Sequence, residues 1–333
     1  MKSIIIIALA VVGANARTQA VCDSVTANLK PQDELLSGTY NDSTGGLYFQ
    51  QTNTRPAEHD SVGKVRSKEV AARLSDGTVN WSTGKIGWIL IGMSSMNRIG
   101  SFMKDTLQSS ALKAITHPLL VFKNCAKNGV TFNSMVDTTN LYWTQSVPDS
   151  LTSAGLTTKQ VGVVFFHHVM RKDEVPATWP RYPDSTRNKT LRMMRIIQAK
   201  FPNCKQLFIN SREYSNYTQE TDNHNEPDTY WHGFGQKWAI DRHIKKVDSV
   251  SYVKKVKANG NAPWTDWLTY NWANGTTTTG PNARSDGLTW QCANFEPADG
   301  LHTVDSGRRK IAIRWINKMK TDATMRTWFL RHF

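Results

Sequence analysis

Short apolar runs in the middle of the chain restrict its fold more than any other feature. Each run is rich in Val, Ile and Phe and is bounded by turn residues; the runs cover residues 86–92, 118–124, 161–169 and 204–210. Continuous apolar runs of this length are typical of strands that are buried on both faces. The sequence therefore predicts a sheet that is covered by helices on both sides.

Segments with helical spacing separate and follow these runs. Residues 187–201 place apolar side chains three and four positions apart and are followed by a proline, which ends a helix. Similar stripes cover residues 235–247 and 306–320, and Asp305 or Ser306 is available to cap the last helix. Alternating strands and helices predict an α/β fold, a three-layer sandwich around a mostly parallel central sheet.

The N-terminal residues have the features of a secretory signal peptide. Lys2 precedes an apolar run over residues 4–12, and Ala14-Asn15-Ala16 has the small residues that signal peptidase accepts. We therefore predict that residues 1–16 are removed and that the protein is secreted; an N-terminal anchor or a buried strand is the alternative. Residues 17–85 are expected to form an arm that packs on one domain, residues 86–333.

Cysteines and glycosylation sequons agree with export. The four cysteines could form two disulfides in an oxidising compartment, with three pairings possible: they are Cys22, Cys125, Cys204 and Cys292. Their spacing does not match a zinc site, so we expect no metal. Asn-x-Ser/Thr sequons, which favour a glycoprotein, occur at Asn41, Asn80, Asn188, Asn216 and Asn274.

The formal net charge of +14 would attract anionic partners such as nucleic acid, acidic polysaccharide or an anionic membrane surface. The basic residues are scattered along the chain, however, and no recognition helix, finger or RNA-binding signature is visible. No later stretch has the apolar length of a membrane helix. We therefore expect no nucleic-acid partner and no membrane span.

Ser94 directly follows the first buried run, in Gly92-Met93-Ser94-Ser95, and a segment compatible with a helix comes next. Parallel α/β sheets bind their ligands at the carboxyl ends of strands, so a serine at this place is well situated as a nucleophile. Its backbone N–H could also point at a developing oxyanion. The alternative is that Ser94 only caps the following helix.

Asp299 and His302 lie three residues apart in a predicted loop before the last helix. This spacing can place a carboxylate beside one imidazole nitrogen and leave the other free to take a proton from Ser94. Such an arrangement follows the Ser-His-Asp logic, in which the acid fixes the tautomer of the base. The alternative is that Asp299 belongs to an ordinary turn and that His302 is a surface residue.

Taken together, these two blocks resemble those of the SGNH/GDSL hydrolases, in the same chain order. Gly92-Met93-Ser94 matches the "GDS" position, and "DGLHTVDSG" is similar to the family's "DGxHPSxxG" block. Residues 201–217, 225–244 and 270–302 are similar to stretches of a group of secreted SGNH-like proteins. The resemblance covers roughly residues 86–320 and implies a flavodoxin-like SGNH hydrolase fold with Ser94, Asp299 and His302 as its catalytic residues.

The resemblance also implies an oxyanion hole, although this sequence departs from the family pattern there. The N–H groups of Ser94 and Gly129 fit two of the family's three donors. The third donor is normally an Asn in a G-x-N-D block, which does not follow the third apolar run. His167 or His168 stands near that position and could contact the substrate, although a buried imidazole is more often part of the core. Asn124 is another polar candidate.

An ester hydrolase that acts through an acyl-enzyme is the function that the resemblance implies, with no metal or organic cofactor. The substrate would carry acyl groups, such as O-acetyl groups on an extracellular polysaccharide. Because Met93 replaces the usual Asp and the third-block Asn is missing, a catalytically inactive, glycan-binding protein with the same fold is the alternative.

Arg212 follows the run 204–210 and could hold an anionic substrate group, or it could form a structural salt bridge. An aromatic cluster precedes the Asp299 block; its side chains could stack on sugar rings or belong to the core, and they are Trp264, Trp267, Tyr270, Trp272 and Trp290.

Overall fold

The computed structural model describes Cys22 and residues 27–171, 173–218, 225–247 and 261–331. The signal peptide predicted for residues 1–16 lies outside the described residues. The strands of the described chain are β1 (Thr39–Tyr40), β2 (Ser43–Thr44), β3 (Ile86–Gly92), β4 (Leu120–Asn124), β5 (Val161–His167), β6 (Gln206–Asn210) and β7 (Trp264–Thr269).

Strands β3 to β7 form one parallel sheet in the order β4-β3-β5-β6-β7, whereas β1 and β2 pair as a small antiparallel hairpin. Counted from β3, this order is 2-1-3-4-5, which is the flavodoxin-like order. The chain runs from β3 outward to β4 and then returns to β5, so the strand order reverses between β3 and β5. Sheets of this kind bind ligands at such a switch point, outside the carboxyl ends of the strands.

Helices cover both faces of this sheet, which confirms the predicted α/β class and layered architecture. They are α1 (Gln32–Leu35), α2 (Ala57–Lys68), α3 (Ser94–Leu107), α4 (Ser110–Ile115), α5 (Phe132–Val136), α6 (Val147–Ser153), α7 (Arg181–Lys200), α8 (Asp228–Ile244), α9 (Asp305–Thr321) and α10 (Arg326–Phe329). On one face α9 contacts α3 and α10, and on the other α7 contacts α5 and α8. Across the described ranges, no helix is both long enough and apolar enough to cross a bilayer.

The centre of the core lies on β3, all of whose residues are buried. Trp88 packs against Phe122 of β4 and Phe165 of β5, with ring centroids 4.6 and 5.0 Å apart. Each such aromatic pair contributes about 0.5–1.5 kcal/mol beyond the burial of its area. The strand that leads into Ser94 is therefore held firmly between its two neighbours.

Strand β7 was not predicted from the sequence, because polar residues interrupt its apolar pattern. Asp266 is fully buried, and Tyr48 and Arg55 satisfy its two carboxylate oxygens at 2.8 and 2.7 Å. Arg55 also forms an ion pair with Asp322 at 2.6 Å. These contacts fasten the segment before β3 to the sheet.

The aromatic cluster belongs to the core and is not a sugar-stacking surface. Its side chains are at most 2% exposed; they are Trp264, Trp267, Tyr270, Trp272 and Trp290. Of the two interpretations offered by the sequence, the structure therefore supports the core.

Helices α7 and α8 begin one to two turns earlier than the apolar stripes indicated. Their early turns bury aromatic side chains, among them Tyr182, Tyr230 and Phe234, together with polar residues that interrupt the apolar stripe. The two helices pack closely, because a Cβ at Gly235 of α8 would come within 2.5 Å of Pro183 and Thr186 of α7. The last helix begins at Asp305, and its cap residue is Val304 without a side-chain cap hydrogen bond. The suggestion that Asp305 or Ser306 caps it was wrong.

The described cysteines form one disulfide, so the suggestion of two was wrong. Cys22 pairs with Cys292, whereas Cys125 and Cys204 are buried free thiols whose pKa burial raises to about 12. Cys125 follows β4 and Cys204 precedes β6, and these strands are three positions apart in the sheet. That separation is about 14 Å, whereas a disulfide needs Cα atoms within about 7 Å.

Arg55→Met should destabilise the fold strongly, because it leaves Asp266 buried without its cation. Loss of one partner of a buried ion pair typically costs about 3–5 kcal/mol. Urea unfolding at neutral pH measures this loss. The double variant Arg55→Met/Asp266→Asn removes both charges and should lose less; equal losses in the two variants would contradict the role of charge.

Candidate active site

Ser94 and His302 lie beside each other at the carboxyl end of the sheet, although 208 residues separate them in the chain. His302 Nε2 lies 2.8 Å from Ser94 Oγ, and His302 Nδ1 lies 2.7 Å from Asp299 Oδ2. The helix that contains Ser94 has Met93 as its cap residue, without a side-chain cap hydrogen bond. Ser94 is therefore the first residue of α3 and does not cap it.

The turn between β3 and α3 places Ser94 at the switch point of the sheet. Gly92, the last residue of β3, pairs in register with His167 of β5. A Cβ at Gly92 would come within 2.3 Å of the carbonyl oxygen of His167. Only glycine allows β3 and β5 to approach this closely at the point where the chain turns into the helix.

The carboxylate of Asp299 accepts hydrogen bonds from the backbone of its own turn as well as from the imidazole of His302. Its Oδ1 accepts the backbone N–H groups of Leu301 and His302 at 2.8 and 2.9 Å. Burial alone would raise the pKa of Asp299, but the hydrogen bonds from His302 and from these N–H groups lower it to about 2. At neutral pH Asp299 is thus a carboxylate that accepts Nδ1–H, which leaves Nε2 of His302 available as a base.

Two backbone N–H groups are candidate oxyanion donors. Ser94 is in the first turn of α3, whose N–H groups have no partner within the helix and form the positive end of its dipole. Gly129 has a φ of +75° and open space around it. Its loop lies against this turn, because the Lys127 N–H donates to Gly92 O at 3.0 Å and Asn97 donates to Asn128 at 3.0 Å.

Asn124 is not an available oxyanion donor, contrary to the suggestion from the sequence. Its Nδ2 donates to the carbonyl and side-chain oxygens of Asn97 at 2.9 and 2.8 Å, and its Oδ1 accepts the Ala126 N–H at 3.1 Å. Asn124 therefore anchors the start of α3 to the end of β4.

His167 and His168 do not line a substrate site, so their assignment to substrate binding was wrong. Both are buried; His167 Nδ1 lies 3.0 Å from Asn210 O, and the ring of His168 stacks on Phe132 at 4.6 Å. Burial lowers the pKa of His168 to about 3 and also lowers the pKa of His167. Both rings are neutral parts of the core.

Arg212 is also buried, at 1% exposure, and no substrate can reach its guanidinium. It donates hydrogen bonds to Ser95 Oγ and to the carbonyl oxygen of Leu301, and its Nη1 lies 3.5 Å from Glu213 Oε2. The substrate-binding assignment is therefore wrong, and the structure supports the alternative of a structural salt bridge. Ser95, Leu301 and Glu213 were not predicted from the sequence, because it does not show which distant residues a buried arginine will contact.

Known proteins of similar structure include several ester hydrolases, whereas the sequence matches no protein-family model and no curated protein. A GDSL-like lipase from Bacteroides thetaiotaomicron aligns at 9% identity and a TM-score of 0.39, over 78% of this chain and 97% of that chain. An acetyl xylan esterase aligns at 16% identity and a TM-score of 0.36, over 70% of this chain and 98% of that chain. A carbohydrate acetylesterase from Xanthomonas citri aligns at 11% identity and a TM-score of 0.39, over 72% of this chain and 57% of that chain.

Asp299→Asn should reduce the free energy of unfolding in a manner that depends on pH. Because the pKa of Asp299 in the folded protein lies below its ordinary value of about 3.9, its ionisation stabilises the fold above that value. This contribution is lost as the pH falls towards 2. Urea unfolding should show a difference between variant and wild type that shrinks as the pH falls below 4; a difference that does not change over this range would contradict this origin.

Proposed function

We propose that this protein is a secreted serine hydrolase that cleaves acyl esters through an acyl-enzyme. The observation that carries the proposal is the hydrogen-bonded series Ser94–His302–Asp299, which we call the triad. Its two contacts, 2.8 and 2.7 Å long, are within the reach that proton transfer requires.

In the first half of the reaction, Ser94 Oγ attacks the acyl carbonyl while His302 Nε2 takes its proton. Asp299 stabilises the imidazolium that forms. The tetrahedral oxyanion accepts hydrogen bonds from the N–H groups of Ser94 and Gly129. The C–O bond of the ester then breaks, His302 returns the proton to the leaving alcohol, and the acyl group stays on Ser94. Water repeats these steps and releases the carboxylic acid.

O-acetylated extracellular polysaccharide is the substrate class that we propose. The +14 net charge favours acidic glycans over neutral ones. The Cys22–Cys292 disulfide is typical of an oxidising compartment, as expected for a secreted protein. Among the sequons, Asn41 and Asn188 are exposed and could carry glycans, whereas Asn274 is buried.

Ser94→Ala should abolish hydrolysis of p-nitrophenyl acetate and of acetylated xylan, because it removes the nucleophile. Loss of a triad nucleophile lowers kcat by about 10⁶-fold in a well-studied hydrolase. Ser101→Ala is the matched control, since Ser101 is an exposed serine on the same helix; it should retain wild-type activity. A fluorophosphonate adduct should form on Ser94 of the wild type.

Hydrolysis that persists in Ser94→Ala would contradict the proposal. Absence of hydrolysis with every acyl ester, together with retained binding of glycans, would instead support the inactive glycan-binding protein.

Asp299→Asn should lower kcat by about 10⁴-fold, because an amide fixes the imidazole in the wrong tautomer. Steady-state kinetics with p-nitrophenyl acetate measures this loss, and KM should change little. A variant within tenfold of wild-type kcat would show that Asp299 does not orient His302.

A further inference from the structure

Arg212 lies between the start of α3, which carries Ser94, and the turn that carries Asp299 and His302. One of its nitrogens donates to Ser95 Oγ, next to the nucleophile, and the other donates to the carbonyl oxygen of Leu301, next to the base, at 3.0 Å. We infer that Arg212 is a positioning residue that sets the distance between Ser94 and His302. This inference rests on the proposed function and goes beyond it, since Arg212 does not touch the reacting atoms.

The guanidinium is suited to setting this distance because it is rigid and shielded from water. Its nitrogens form a planar fork of fixed geometry, so two contacts through one fork hold their two partners at a set separation. Arg212 and Glu213 are each 1% exposed, and their charged atoms approach to 3.5 Å. Neither oxygen of the Glu213 carboxylate accepts a hydrogen bond from the described part of the chain, so this ion pair is its one charged contact there. Glu213 therefore serves as the counter-charge that keeps Arg212 buried.

The chain that leads to Arg212 is itself fixed to the sheet. Asn210, the last residue of β6, accepts three hydrogen bonds through Oδ1, from Thr269, Asn271 and Trp315, at 2.8, 2.8 and 2.9 Å. The backbone two residues before Arg212 is thus anchored to β7 and α9. We therefore expect Arg212 to hold Ser95 and Leu301 in fixed positions relative to the sheet.

A second connection between α3 and the segment before His302 lies nearer the surface. Arg98, one turn after Ser94, forms an ion pair with Glu296 at 2.6 Å, and Arg308 adds a contact to the same carboxylate at 3.2 Å. Arg98 and Glu296 are each about a third exposed. Exposed ion pairs contribute little and are screened by salt. We therefore expect the buried connection through Arg212 to dominate.

The kinetic test uses four variants. Arg212→Met/Glu213→Gln removes both buried charges and so avoids an unpaired carboxylate. It should lower kcat by about 10²-fold, the loss that a displacement of about 1 Å produces, with KM changed less than twofold. Arg212→Lys should recover part of this loss, because an ammonium can reach one of the two partners. Ser95→Ala should give a smaller loss of kcat than the double variant, and Arg98→Met the smallest.

The matched control is Arg284→Met/Asp33→Asn, which removes a different buried ion pair, 2.7 Å long, in segments that do not carry the triad. It should lower the unfolding temperature but leave kcat unchanged. Rates are normalised to folded protein, measured by near-ultraviolet circular dichroism, so that loss of folded protein is not counted as loss of kcat. Wild-type kcat per folded molecule in Arg212→Met/Glu213→Gln would overturn the inference while leaving the proposed function intact.

A spectroscopic measurement tests Arg212 even if the wild type hydrolyses no ester. The nitrogen-15 chemical shift of His302 Nε2 reports its hydrogen bond to Ser94. Ser94→Ala should change this shift in the wild type and have no effect in the Arg212→Met/Glu213→Gln background, where the two side chains no longer meet. An equal change in both backgrounds would show that Arg212 does not set this contact.

Discussion

A guanidinium that is buried between two segments of the chain must find its hydrogen-bond partners and its counter-charge within the protein, because water cannot reach it. Moving a charge out of water costs several kcal/mol even after the surroundings relax, whereas a whole domain is stable by about 5–15 kcal/mol. Arg212 makes its hydrogen bonds to Ser95 and Leu301 only when the start of α3 and the turn that carries His302 lie on either side of it. The same arrangement brings Ser94 and His302 into contact, so we infer that the burial of Arg212 favours the assembly of the triad.

A comparable constraint operates at the far edge of the sheet, where Asp266 of β7 is buried against Arg55. This burial explains why the sequence predicted strands β3 to β6 but missed β7. Strands β3 to β6 are continuous apolar runs, which periodicity detects, and their positions are confirmed within about two residues. Strand β7 contains an aspartate whose burial depends on an arginine 211 residues away. A pattern read over a local window has no access to such a partner.

In the candidate site too, local sequence patterns predicted some residues, whereas contacts with distant residues decided the others. Ser94, Asp299 and His302 could be predicted because strand–turn–helix and D-x-x-H patterns are local, and the structure brings the three side chains together. The substrate-binding roles suggested for Arg212, His167 and His168 and the oxyanion role suggested for Asn124 were wrong, because position near a strand end does not reveal whether a side chain points inward. Each of these residues makes a hydrogen bond to a backbone carbonyl of another segment, and such contacts place no requirement on residue type that a sequence displays.

The chemistry expected of the site follows from its candidate oxyanion donors. Backbone N–H groups of Ser94 and Gly129 remain, together with the positive end of α3, while Asn124, His167 and His168 have their side chains committed elsewhere. Each oxyanion donor accounts for about 10²–10³ in rate, so a site with two donors is weaker by that factor than one with three. The loss of one oxyanion donor matters least when the substrate has a good leaving group. We therefore expect this triad to be effective on esters and ineffective on amides, in keeping with an acyl-ester substrate.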